Sequence, residues 1–213
     1  IGSIFAKKIQ MTAMPQLVAV FNGFGGAAST LIASSEFINI YNNLGSSIQI
    51  GLLISIILSV IVGTITFSGS FIAFAKLQDL IKSKPIIFFG QQVINGFLFL
   101  VLILFIFLLI FFNKIYFLEL FIAIIIISFT LGLLLVIPIG GADMPVVISL
   151  LNSYSGLAAA MTGFIFISAG SNITAGNALI ICGSLVGASG LILTQIMCKG
   201  MNRSLLNVVF GAV

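Results

Sequence analysis

From Phe97 to Phe112 the chain runs through Phe, Leu, Ile and Val without a single polar side-chain atom, and apolar stretches of similar length lie before and after it. A helix needs roughly 20 mostly apolar residues to cross about 30 Å of hydrocarbon, and several windows here meet that length without a charge. With 61% apolar residues, 6% charged residues and a mean hydropathy of +1.36, the chain cannot cover a globular surface with polar groups. Its solvent is a lipid bilayer. The expected fold is all-α, a polytopic transmembrane helical bundle.

Apolar length read against charges and breakers predicts six full spans: Leu17 to Phe37, Gly51 to Ala75, Val93 to Phe112, Tyr116 to Ile137, Val146 to Ala169 and Ala175 to Cys198. Ile1 to Ala6 reads as the end of a preceding span, since Lys7 and Lys8 follow too soon for a signal-peptide core. The connections carry turn chemistry, as in Asn42-Asn43-Leu44-Gly45-Ser46-Ser47, Ser83-Lys84-Pro85 and Gly170-Ser171-Asn172. No soluble domain fits between them, so residues 1–213 read as one membrane domain. If the spans alternate, Lys7, Lys8, Lys76, Lys82, Lys84, Lys199 and Arg203 share one side and Lys114 alone takes the other. The positive-inside rule then puts both ends of the chain on the cytoplasmic or matrix side. The net charge of +4 serves topology and anionic headgroups, and leaves no basic face for nucleic acid. Cys182 and Cys198 lack metal-ligand spacing and histidine partners, and read as inert buried thiols.

Small and polar residues recur at helical spacing on four spans. The first carries Asn22, Gly25, Gly26, Ser29 and Ala33; the second Ser55, Ser59, Gly63, Thr66 and Ser70. The fifth carries Ser149, Asn152, Ser153, Gly156, Ala160 and Gly163; the sixth Gly176, Gly183, Gly187, Gly190 and Thr194. Such stripes let helix backbones approach closely, so spans one, two, five and six are expected to form an inner bundle, with spans three and four facing lipid. Packing alone accounts for the Gly, Ala and Ser positions. An amide in hydrocarbon is costly unless bonded, so Asn22 and Asn152 stand between two roles, interhelical glue and a hydrated or proton-conducting site.

Of the four acids, Glu36, Glu119 and Asp79 lie where headgroups or water reach them. Asp143 sits between two spans, after Gly140-Gly141 and before Pro145, which suits the first turn of a helix. It is a plain N-cap or a carboxylate whose protonation changes with state, joined to a polar face of Ser149, Asn152 and Ser153.

Gly140-Gly141-Ala142-Asp143-Met144-Pro145-Val146-Val147, followed by Leu151-Asn152-Ser153-Tyr154-Ser155-Gly156, closely resembles the proton-translocating NAD(P) transhydrogenase beta subunit. Ala6-Lys7-Lys8 with Met11 to Ala19, Thr66-Phe67-Ser68-Gly69-Ser70 with Ala73 to Leu77 and Ser83-Lys84-Pro85, and Ile196 to Ser204 match the same family in the same order. Spans three and four match in hydrophobicity alone. The resemblance implies a membrane domain that couples hydride transfer between NADH and NADP to proton passage. It implies no cofactor bound within these residues, an NADP(H) domain beyond Val213 reached through Asn202-Arg203-Ser204, a partner alpha part with an NAD(H) domain and membrane helices, and a homodimer of the whole. It implies an integral, multi-pass location in a bacterial inner membrane or a mitochondrial or other organelle membrane.

Carried over residue by residue, Asp143 matches the family's membrane aspartate that links proton access to the nucleotide domain, and Asn152 matches a polar channel residue. Asn22 departs from the family pattern. Many members carry a histidine there, in a Leu-Val-Ala-x-x-His-x-Phe context, whereas Leu17 to Phe24 of this chain offers an amide that cannot titrate near neutral pH. Since the chain holds no histidine, a histidine acceptor must come from outside it, or coupling is altered. The rival class is a stand-alone secondary transporter or channel, which the lack of evident inverted repeats or a broken span disfavours. Gly187-Ala188-Ser189-Gly190 lies inside an apolar helix and reads as packing rather than a nucleotide loop.

Overall fold

The structure is a computed structural model that describes residues 10–42, 49–111 and 116–210. The lysines at 7, 8 and 114, the loop from Asn43, and the expected end of a preceding span all lie outside the described residues. Six long helices fill most of the rest: α1 (Met14–Asn42), α2 (Ile50–Leu77), α3 (Gln91–Phe111), α4 (Phe117–Val136), α5 (Met144–Ser168) and α6 (Ile173–Gly200). A short α7 (Leu205–Phe210) follows, and the described residues contain no strand. All six long helices are long and apolar enough to cross a membrane. Their bounds lie close to those expected, because apolar length and breakers act locally. At 29 residues, α1 is the longest. It spans about 43 Å and must tilt or project beyond a hydrocarbon layer of about 30 Å.

The helix ends explain the entry and exit angles. Single 3-10 turns, Met11–Ala13 and Gly141–Asp143, lead into α1 and α5, each with proline as the second helical residue. At the end of α6, Asn202 adopts φ +53°, its N–H donates to the Lys199 carbonyl at 3.1 Å, and the Arg203 N–H donates to the Cys198 carbonyl at 2.9 Å. This is a Schellman closure built on asparagine, one of the few non-glycine residues that tolerate the left-handed region. Asp79, at φ +54°, closes α2 by the same pattern.

α2 and α5 are the two central helices. α2 packs on α1, α4 and α5, while α5 packs on α1, α2 and α6; α3 rests chiefly on α4. The expected inner set of spans one, two, five and six therefore needs correction at two places. α4 is no lipid-facing bystander, since its Ser128 and Gly132 are buried and a Cβ at Gly132 would stand 2.7 Å from the Ile65 carbonyl of α2. Phe37 of α1 also stacks on Phe121 and Phe117 of α4, with ring centroids 3.7 and 4.6 Å apart. One glycine at the crossing point is enough for close approach, however bulky its neighbours. α6, by contrast, touches the rest of the chain almost wholly through α5 and α7, and its Leu185, Ile192 and Ile196 are exposed. A glycine stripe specifies one narrow contact and says nothing about the other faces of its helix.

Candidate functional site

Asp143 occupies the N-cap position of α5, with φ −92° and ψ −3°, and makes no side-chain capping bond. A capping side chain reaches the first helical N–H groups from an extended backbone, and the preceding 3-10 turn denies Asp143 that geometry. Its carboxylate is thereby left for another partner. Arg203 Nη1 donates to Asp143 Oδ2 at 2.7 Å, across the gap between the start of α5 and the end of α6. The Schellman closure at Asn202 sets the direction in which Arg203 leaves its helix. The Asp143 side chain is 13% exposed and that of Arg203 is 54% exposed. Asp143 Oδ1 is buried without a hydrogen-bond partner among the described residues. With its Arg203 side more than half exposed, the pair contributes about 1 kcal/mol.

The pair borders a cavity of about 630 Å³ lined also by Lys76, Asp79, Ser83, Lys84 and Asn207. The end of α2, the start of α5 and the end of α6 meet here, so the described cations Lys76, Lys82, Lys84, Lys199 and Arg203 collect at one end of the bundle. Lys76 differs from a headgroup-seeking lysine. It is 1% exposed, and its Nζ donates to the carbonyl of Ile137 and, at 2.7 Å, to that of Ile139. Charge counting along the sequence treated it as one topological charge among seven and missed its burial.

Deeper in the bundle, Asn22 is 5% exposed and its Nδ2 donates to the Ile148 carbonyl of α5 at 3.1 Å. In a regular α-helix that carbonyl also receives the N–H of Asn152, four residues on. Ile148, Asn152 and Ser155 form one stripe of α5, and a Cβ at Gly25 of α1 would lie 3.9 Å from Ser155. Asn152 thus lies one helical turn from the carbonyl that Asn22 binds. The Asn152 side chain is half-buried and has no hydrogen-bond partner among the described residues. Ser70 of α2, which the sequence offered only as a packing residue, packs against Gly23 of α1, and its hydroxyl is buried and unpartnered among the described residues.

Ser149 and Ser153 point elsewhere. Ser149 Oγ donates to the Gly190 carbonyl at 3.1 Å and Ser153 Oγ to that of Gly187 at 2.7 Å, both on α6. These hydroxyls are satisfied within the α5–α6 seam, away from Asn22. Ser153→Ala should therefore leave any transport rate within about twofold, and cost about 1 kcal/mol of stability in a chaotrope titration. Loss of transport without loss of stability would place Ser153 on the path after all. Along α5 the nine residues from Asp143 to Asn152 rise about 14 Å, so mouth and interior are separate stations on one helix.

Six apolar helices long enough to cross a membrane, with an interhelical amide hydrogen bond between two of them and an ion pair at one end, define a polytopic membrane domain. A family model described as NAD(P) transhydrogenase beta subunit matches residues 1–213. Two relatives named NAD(P) transhydrogenase subunit beta, one from Rhodospirillum rubrum and one from a strain of that species, are each 50% identical over 218 residues, covering 99% of this chain and 44% of their own length. The chain belongs to the NAD(P) transhydrogenase beta subunit family. It spans less than half the length of those relatives.

Proposed function

We propose that this chain is the beta-subunit share of a proton path that couples hydride transfer between NADH and NADP to proton movement across a membrane. The observation that carries this reading is the Asp143 carboxylate, unused as a cap and paired instead with Arg203 at the exit of the last long helix. Protonation of Asp143 removes the charge that holds Arg203, and so changes the junction between α6 and whatever follows it. A domain attached there with different affinities for the paired and unpaired states is, by linkage, biased by that change.

The interior station orients water rather than titrating. Amides and hydroxyls donate and accept hydrogen bonds but keep their protons near neutral pH, so Asn22, Asn152 and Ser70 serve as a relay lining. A second titratable station then belongs to a partner's membrane helices. The nucleotides are held outside these residues in this reading; Gly190 packs directly on the Ser153 backbone, which leaves no room there for a phosphate. The basic end of the bundle, with both ends of the chain, faces the cytoplasm or matrix.

The test uses vesicles containing the intact subunit and its partner. Reduction of NADP by NADH should move protons, and collapse of the gradient should change the hydride-transfer rate; hydride transfer indifferent to the gradient overturns the reading, and favours a stand-alone transporter if solute flux persists. Asn22→His adds a group that titrates between about pH 5 and 8 at the interior station. Its proton flux against pH should gain a new inflection in that window, and an unchanged profile would put Asn22 off the path.

A further inference from the structure

We infer that Lys76 is a positioning residue for the Asp143 site, whose buried ammonium pins the α4–α5 connection so that the carboxylate stays within reach of Arg203. The inference rests on the proposed coupling role of Asp143 and extends it to a residue that role does not itself use.

A buried ammonium is retained only where its N–H groups find acceptors. Lys76 meets that demand with the carbonyls of Ile137 and Ile139, both in the connection that leads to Asp143. Two residues further on, the Gly141 N–H donates to the Ser83 carbonyl at 2.8 Å. Ser83 is itself tied back to the end of α2, its one hydroxyl proton within reach of Asp79 Oδ1 at 2.7 Å and of the Lys76 carbonyl at 3.1 Å. The last turn of α2 and the segment after it thus grip the α4–α5 connection at Ile137, Ile139 and Gly141, and Asp143 is the next residue in that alternation.

Those tethers differ from the contact on the other side of Asp143. Lys76 is enclosed in protein, while Arg203 stands more than half exposed just past the end of α6, a helix held almost wholly by α5. The carboxylate is held between a fixed base and a releasable arm. Without the base, loss of the Arg203 contact would let the whole connection shift, and a change in protonation would no longer be converted into a defined movement of α6.

Lys76→Met keeps the length of the side chain and removes the donors. In vesicles of the intact subunit with its partner, it should lower protons moved per hydride transferred by about tenfold, within the usual range of coupling strengths. Lys76→Met combined with Asp143→Asn should be within about twofold of Asp143→Asn alone, since residues acting through one another are non-additive. A spin label at the exposed Ala142, introduced as Ala142→Cys with Cys182→Ala, should gain motion in Lys76→Met and not in Asp143→Asn. An unchanged ratio, losses that multiply, or an unaltered label would each overturn the inference. Should Asp143→Asn alone leave the ratio intact, the coupling role of Asp143 falls, while the label still decides whether Lys76 anchors the segment. Lys76→Gln is the second variant if Lys76→Met does not accumulate; failure of both makes Lys76 a folding determinant and overturns the inference too.

Discussion

Asp143→Asn should uncouple the intact subunit, lowering protons moved per hydride transferred by about 5- to 150-fold, the range expected when a coupling term of a few kcal/mol is lost. The substitution preserves shape and still allows one hydrogen bond from Arg203, so the change is in charge and in the ability to bind a proton. Because Asp143 makes no capping bond, α5 loses no cap and the fold should be unaffected. Circular dichroism and extraction yield should match the parent while the ratio falls. An intact proton-to-hydride ratio would mean that the Asp143–Arg203 pair takes no part in coupling.

Gly183→Leu should have the largest structural effect. A Cβ at that position would stand 2.6 Å from both the Ala160 nitrogen and the Gly156 carbonyl oxygen, and backbone atoms cannot turn aside as a side-chain end can. The two helices must separate, which costs about 1–3 kcal/mol or more. With that separation go the Ser149 and Ser153 bonds to α6. α6 has little else to hold it, so limited proteolysis should cut at the α5–α6 connection and the yield of folded protein should drop. Gly51→Ala is the control, since nothing lies within 4 Å of its Cβ position. Equal protease resistance in Gly183→Leu and the parent would mean that the seam is not the attachment of α6.

The spans were legible because apolar length and breakers are local properties. The α5–α6 and α1–α2 seams were legible for a related reason: glycines at steps of three and four residues mark a face before its partner is known. The polar face assigned to Ser149, Asn152 and Ser153 was too coarse. At 100° per residue, Asn152 lies well around the helix from Ser153, whose hydroxyl bonds to α6. The sequence held this signal. It held none for the packing of Ser70 against Gly23, which depends on how α1 and α2 rotate against each other.

Arg203 and Lys76 mark the remaining limit. Both counted equally toward orientation, as charges near helix ends, yet one is an exposed arm and the other a buried tether. Which lysine is buried depends on where the α4–α5 connection crosses the end of α2, a contact between residues some sixty positions apart.

By itself, the sequence determined that this chain lives in a bilayer, where its helices start and stop, which faces can approach closely, and that Asp143 is the acid needing explanation. Periodicity and the cost of polar groups in hydrocarbon dictate those features from nearest neighbours along the chain. Only the tertiary structure decided that Asp143 pairs with Arg203 rather than capping its helix, that Asn22 bonds to the Ile148 carbonyl, and that Lys76 is buried. Those outcomes depend on helix rotation and on loops meeting across the bundle, where packing energies from distant residues outweigh any local preference.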